Sequence, residues 1–149
     1  MIRILFVCHG NICRSVMAEW IFKDLVSQKG LLNDFEIDSA ALSSEETGNS
    51  IYPPAAAVLR KRHIPFGEHY AWRLRADQLS NYDHIYYMDE ENEYLLERLV
   101  HSSKLPLFIE PLLEHGQIAD PWYTRSFEKA FSQIEQGCKE RLDQLIASE

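Results

Sequence analysis

The apolar run Ile4-Leu5-Phe6-Val7 is followed at once by Cys8-His9-Gly10-Asn11-Ile12-Cys13-Arg14-Ser15, and then by helical spacing from Val16 onward. No other stretch constrains the chain as strongly. A short, wholly apolar run bounded by glycine reads as a buried parallel strand. The turn after it therefore lies at the strand's carboxyl end, where open α/β sheets place their ligand sites. Five residues separate Cys8 from Arg14, enough to curl a backbone around one tetrahedral anion. The N–H groups of such a loop form a nest, with the N-terminus of the following helix behind it. That field favours a thiolate at Cys8, and Arg14 offers a planar fork that matches two phosphoryl oxygens. A nucleophile, an anion cradle and a charge clamp thus fall within one loop. The bland alternative for Cys8 is a small buried hydrophobe at a strand end.

The rest of the chain alternates strands and helices. Strands are expected at Arg3–Val7, Phe35–Ala40, His84–Met88 and Leu105–Phe108, the last at a sheet edge because of Pro106. Helices are expected at Val16–Lys29, Pro54–His63, Glu90–Val100 and Thr124–Ala147, the last with an apolar stripe from Phe127 to Leu145 that includes Cys138. The polar stretch 42–53 reads as a surface loop, and 71–81 as a loop with a short helix. Alternation of this kind specifies an α/β fold: a four-stranded parallel sheet with helices on both faces, a flavodoxin-like or Rossmann-like three-layer sandwich. No linker or repeat divides residues 1–149, so one domain is expected.

Fifteen Lys and Arg stand against twenty-three Asp and Glu, a net charge of −8. That balance argues against nucleic acid as a partner, and an anionic substrate must be drawn in by a local positive site. No apolar stretch reaches membrane-spanning length and none has the pattern of a signal peptide, so no membrane association and a cytoplasmic location are the expectations. Three cysteines without paired spacing make neither a disulfide framework nor a zinc site.

Cys8-x5-Arg14-Ser15 is similar to the phosphatase loop of cysteine-dependent protein tyrosine phosphatases. The longer string from Cys8 through Arg14-Ser15-Val16-Met17-Ala18-Glu19 resembles the low-molecular-weight branch of that family. The resemblance extends over the chain and is densest at 4–21, 83–92 and 120–123. Val16 departs from it, standing where Pro is usual. The resemblance implies a nucleophilic Cys8, a charge-clamping Arg14, and a general acid at Asp120 in Asp120-Pro121-Trp122-Tyr123. On local sequence alone, Asp-Pro equally well initiates a turn before the last helix. Substrate contacts are expected from loop residues His9, Gly10, Asn11, Ile12, Cys13 and Ser15, with Trp122 and Tyr123 walling a pocket for a ring. Ser15 has two roles open to it, helix N-cap and hydrogen bond to the Cys8 sulfur. Asn11 tolerates the left-handed turn the loop needs, and the resemblance implies that it is supported by Ser39 and His69. Asp89 matches a family string too and reads as a helix N-cap.

The resemblance implies metal-independent hydrolysis of phosphotyrosine on proteins by a monomer, through a phosphocysteine and with no cofactor. A protein arginine phosphatase is the alternative, because some bacterial members of the family hydrolyse phosphoarginine and carry Thr at the position of His9. A protonated His9 would repel a guanidinium, which favours phosphotyrosine here. An arsenate reductase of the same fold is the more remote alternative, since it needs two further cysteines in mid-chain and none lies between Cys13 and Cys138. Cys8 and Cys13, sharing one loop, are expected to join reversibly under mild peroxide.

Overall fold

Four parallel strands set the frame. In the computed structural model, which describes residues 1–148, β1 (Ile2–Cys8), β2 (Phe35–Ala41), β3 (His84–Tyr87) and β4 (Ile109–Pro111) lie in the order β2-β1-β3-β4. β1 is therefore interior, paired from Ile2↔Phe35 to Cys8↔Ala41 on one side and at Ile4↔His84 to Phe6↔Tyr86 on the other. A strand covered on both faces must be apolar throughout, and Ile4, Leu5, Phe6 and Val7 are all fully buried.

The strand's side chains alternate between two cores. Ile4, Phe6 and Cys8 point to the side packed by α1 (Arg14–Gln28), α2 (Pro53–Lys61) and α5 (Phe127–Ala147), among Met17, Phe22, Phe131 and Ile134. Leu5 and Val7 face the opposite side with Leu74, Ile85 and Leu96, the last from α3 (Glu90–Val100). Helices thus cover both faces, and the parallel three-layer arrangement read from the sequence is the one found.

Three local expectations are corrected. The apolar string 105–108 is not a strand. Pro106 has no N–H to give a ladder, and its carbonyl instead accepts from Ile109 N in a turn, so pairing begins at Ile109↔Ile85. β4 does lie at the sheet edge. The last helix starts at Phe127, because Arg125 adopts φ +61° and separates it from a short helix α4 (Pro121–Thr124). Ser15 is not an N-cap. Cys13 holds that position without a side-chain hydrogen bond, and Ser15 lies within the first turn of α1.

α5 packs closely on the chain after β4. A Cβ at Gly137 would stand 2.7 Å from Leu112 Cγ and 3.1 Å from its carbonyl oxygen. Gly137→Ala should gain up to about 1 kcal/mol of helix propensity and lose about 1–3 kcal/mol to overpacking. The expected outcome is a lower urea midpoint with an unchanged m-value, and a higher midpoint would show that Leu112 gives way freely.

Candidate active site

The loop 8–14 is held in shape by Asn11. Its backbone is left-handed at φ +60°, and its side chain is fully buried. Both polar atoms of that side chain are engaged. Oδ1 accepts from Trp72 N at 3.4 Å, while Nδ2 donates to Ser15 Oγ at 2.8 Å and to Ser39 Oγ at 3.0 Å. The Asn11 carbonyl accepts from His69 Nε2 at 2.6 Å. The structure therefore places Ser39 and His69 directly against Asn11. Ser39 Oγ in turn donates to Glu19 Oε1 at 2.6 Å, and Glu19 pairs with Lys23 at 2.6 Å. A buried polar network whose members are all partnered specifies one loop conformation.

The same network ends on sulfur. Cys8 Sγ is 3.1 Å from Ser15 Oγ and accepts from Asn11 N at 3.3 Å. Ser15 Oγ thus accepts from Asn11 Nδ2 while lying within hydrogen-bond distance of Cys8 Sγ, which joins the loop's support to the sulfur. Of the two roles open to Ser15, the geometry selects this one.

Arg14 is 2% exposed and lies between two carboxylates. Its Nη1 donates to Asp89 Oδ2 at 2.6 Å and to Ile118 O at 2.9 Å, and its Nη2 is 3.5 Å from Asp120 Oδ2. Burial pulls the guanidinium pKa down, but the charges of Cys8, Asp89 and Asp120 outweigh it and hold Arg14 above its ordinary range. Asp89 does two jobs. Its Oδ1 caps α3 through Asn92 N at 2.9 Å, and its Oδ2 orients Arg14. Only the cap is legible in the local sequence. Asp120 is likewise both a turn residue and a pocket residue. Its Oδ1 accepts from Trp122 N at 3.0 Å to start α4, and its Oδ2 faces Arg14.

A cavity opens above the sulfur, lined by Cys8 to Arg14 and by Glu45, Glu46, Asp120, Trp122 and Tyr123. Trp122 packs on Tyr52 with ring centroids 4.7 Å apart, and Tyr52 Oη accepts from Arg125 Nη1. Tyr52 thus buttresses the aromatic wall, a role for which its surroundings in the sequence give no signal. Gly10 sits close to Glu46, whose Cγ would lie 3.2 Å from a Cβ there. Cys8 and Cys13 are free, buried thiols. Burial, with Cys8 and Asp120 nearby, pushes the Cys13 thiol well above its usual range, and Arg14 only partly offsets this.

His9 departs from expectation. Its ring is not a free positive charge at the pocket, because Nε2 is 2.9 Å from Glu45 Oε2 and Nδ1 is 2.9 Å from Glu91 Oε1. Two carboxylates offset the imidazolium, so repulsion of a guanidinium by His9 has no physical basis here.

A parallel α/β sheet with a Cys-x5-Arg loop at the carboxyl end of an interior strand has the layout of α/β proteins whose sites lie beyond their strand ends. Among these, this chain belongs to the low-molecular-weight phosphotyrosine protein phosphatase family, whose model matches residues 3–149. It is 38% identical over 154 residues to the low-molecular-weight protein-tyrosine-phosphatase YfkJ of Bacillus subtilis, covering 99% of this chain and 96% of that protein. The crystal structure of YfkJ superposes with a TM-score of 0.94, covering 100% of this chain and 97% of that one at 34% identity. A Drosophila arginine phosphatase, DARP, superposes with a TM-score of 0.84 at 30% identity, covering 95% and 96%. No described helix is long and apolar enough to cross a membrane.

Asn11→Ala removes the left-handed preference together with the side-chain hydrogen bonds to Ser15, Ser39 and Trp72. We expect a stability loss of about 2–4 kcal/mol, read by chemical denaturation, and weaker binding of a tetrahedral oxyanion such as tungstate, read by calorimetry. Unaltered oxyanion affinity would show that the loop keeps its shape without Asn11.

Proposed function

We propose that this protein hydrolyses phosphotyrosine on proteins through a phosphocysteine intermediate, without a metal ion. One observation carries the reading: the buried Cys8 sulfur, which accepts from Asn11 N and lies 3.1 Å from Ser15 Oγ, stands on a loop whose Arg14 reaches toward Asp120. The Cys8 thiolate attacks phosphorus in line, forming an S–P bond as the P–O bond to the tyrosine breaks. Backbone N–H groups from His9 through Gly10, Asn11, Ile12 and Cys13 to Arg14 hold the equatorial oxygens, together with the Arg14 guanidinium. A phenolate with a pKa near 10 leaves slowly unless protonated, and Asp120 gives that proton. Asp120 then takes a proton from water as the water attacks phosphorus. The S–P bond breaks, phosphate departs and the thiolate is regenerated. Asp89 and the Ile118 carbonyl hold the guanidinium in place beforehand, so it need not reorganise during the reaction.

Trp122 and Tyr123 supply faces for an aromatic ring, and a phosphoseryl group is too short to use them. In this reading residues 1–149 form one domain acting as a cytoplasmic monomer on tyrosine-phosphorylated proteins. The net charge of −8 disfavours nucleic acids as substrates. Likeness to DARP supports phosphoarginine as the competing substrate, and kcat/KM for matched phosphotyrosine and phosphoarginine peptides decides between them.

The first test is turnover of p-nitrophenyl phosphate with neither metal nor thioredoxin. Cys8→Ser should abolish it while leaving vanadate binding largely intact, and retention of about a tenth of kcat would remove Cys8 as nucleophile. Asp120→Asn should slow phosphotyrosine peptide more than an activated aryl phosphate, because only the basic leaving group needs the proton. An equal loss on both would reduce Asp120 to a turn residue.

A further inference from the structure

We propose that His9, as an imidazolium, is a positioning residue that clasps the rim loop 43–48 to the start of α3 and so holds one wall of the pocket over the anion cradle. The inference rests on the phosphatase reading for its consequence in catalysis, but its geometry stands apart from it.

The backbone of His9 is anchored first. Its carbonyl accepts from Ser43 N at 3.2 Å and from Ser43 Oγ at 2.9 Å, which joins the rim loop's beginning to the phosphatase loop whatever the side chain does. The side chain then reaches both ways. Nε2 meets Glu45 of the rim loop, and Nδ1 meets Glu91 of α3, each at 2.9 Å. A carboxylate accepts and cannot donate, and a neutral imidazole has one N–H. Both contacts at these distances therefore require a doubly protonated ring. Glu45 and its neighbour Glu46 line the pocket, whereas Glu91 does not. The bridge thus fixes a pocket-wall residue to a rigid helix through a third residue that immediately follows the nucleophile.

The charged groups acting on this ring are Glu45 from the rim loop and Glu91 from α3. Burial lowers the His9 pKa, but the hydrogen bond and charge of Glu45 and those of Glu91 prevail, and it is raised above 6.5. A raised folded value means that the clasp is fully made below the unfolded value and is lost as pH rises through the folded one. Above that point one ring nitrogen becomes an acceptor facing a carboxylate, and one of the two contacts must open. None of the atoms involved belongs to Cys8, Arg14 or Asp120, so the consequence falls on substrate binding and not on the chemical step.

The experiment pairs kinetics with a direct titration. Steady-state kcat and KM for a phosphotyrosine peptide are measured from about pH 5.5 to 9, a window that brackets the histidine range, for the wild type, Glu91→Ala and Glu91→Gln, and the His9 ring is titrated by NMR in each. In the wild type, His9 should titrate above its ordinary value, and KM should rise as it deprotonates. Glu91→Ala should raise KM about two- to fivefold below that pH, the worth of one partly exposed charged contact, with kcat unchanged and with convergence on the wild type at high pH. Glu91→Gln keeps an acceptor but loses the charge, so it should retain a low KM at acidic pH while the transition moves to lower pH. A His9 that titrates at or below its ordinary value, or a KM ratio between wild type and Glu91→Ala that does not change with pH, overturns the clasp. Absence of any phosphatase activity would instead overturn the functional reading, and the NMR titration would still decide whether the ring bridges the two carboxylates.

Discussion

The site depends on the left-handed conformation of one buried asparagine. Asn11 turns the loop back on itself with its own N–H directed at Cys8 Sγ, and it does so against the steric preference of an L-residue. Such a conformation persists only when the surroundings over-determine it. Here they do: Trp72 and His69 hold it from the segment after α2, Ser39 from β2, and Ser15 from α1. The same side chain that shapes the loop also donates to Ser15 Oγ, which lies 3.1 Å from the Cys8 sulfur. Loop geometry and the surroundings of the Cys8 sulfur are therefore set by one side chain.

Arg14 is the second constraint, and it is electrostatic. A guanidinium buried to this degree is costly unless paired, and removing its partner leaves an uncompensated charge worth about 3–5 kcal/mol. Asp89 is that partner, at 2.6 Å, and Asp120 stands somewhat farther away. The unequal distances divide the labour. The near carboxylate keeps the fork oriented, and the far one, which also starts α4, remains available to a group in the pocket.

Much of this is legible in the sequence because the informative residues are contiguous. The apolar run 4–7, the loop and the first helix follow one another without interruption, so strand, turn and clamp are read in a single pass, and alternation along the rest gives the parallel sheet. The illegible part depends on distance along the chain or on competition between local rules. Asp89 reads as an N-cap because its cap partner is three residues away, whereas Arg14 is 75 residues away. Leu105-Pro106-Leu107-Phe108 has strand-like apolarity, but Pro106 converts it to a turn and leaves Leu107 exposed. His9 reads as a free charge because nothing local announces Glu45 or Glu91. Ser39 and His69 can be placed against Asn11 only through the family resemblance, since no spacing rule connects them.

The interior position of β1 has a further consequence, for how far along the chain the contacts of its loop must be gathered. Cys8, Arg14 and Ser15 are close neighbours in sequence, yet the groups that complete their surroundings come from far along the chain: His69 is 58 residues from Asn11, Asp89 is 75 from Arg14, and the Ile118 carbonyl is 104 from it. Contacts of such sequence separation form late, after loop closure has been met by packing elsewhere. Until those segments dock, the loop 8–14 lacks the contacts that fix its shape and orient Arg14. The Ile118 carbonyl and Asp120 reach Arg14 only when this late segment docks on the sheet, so the loop's surroundings are gathered from most of the fold.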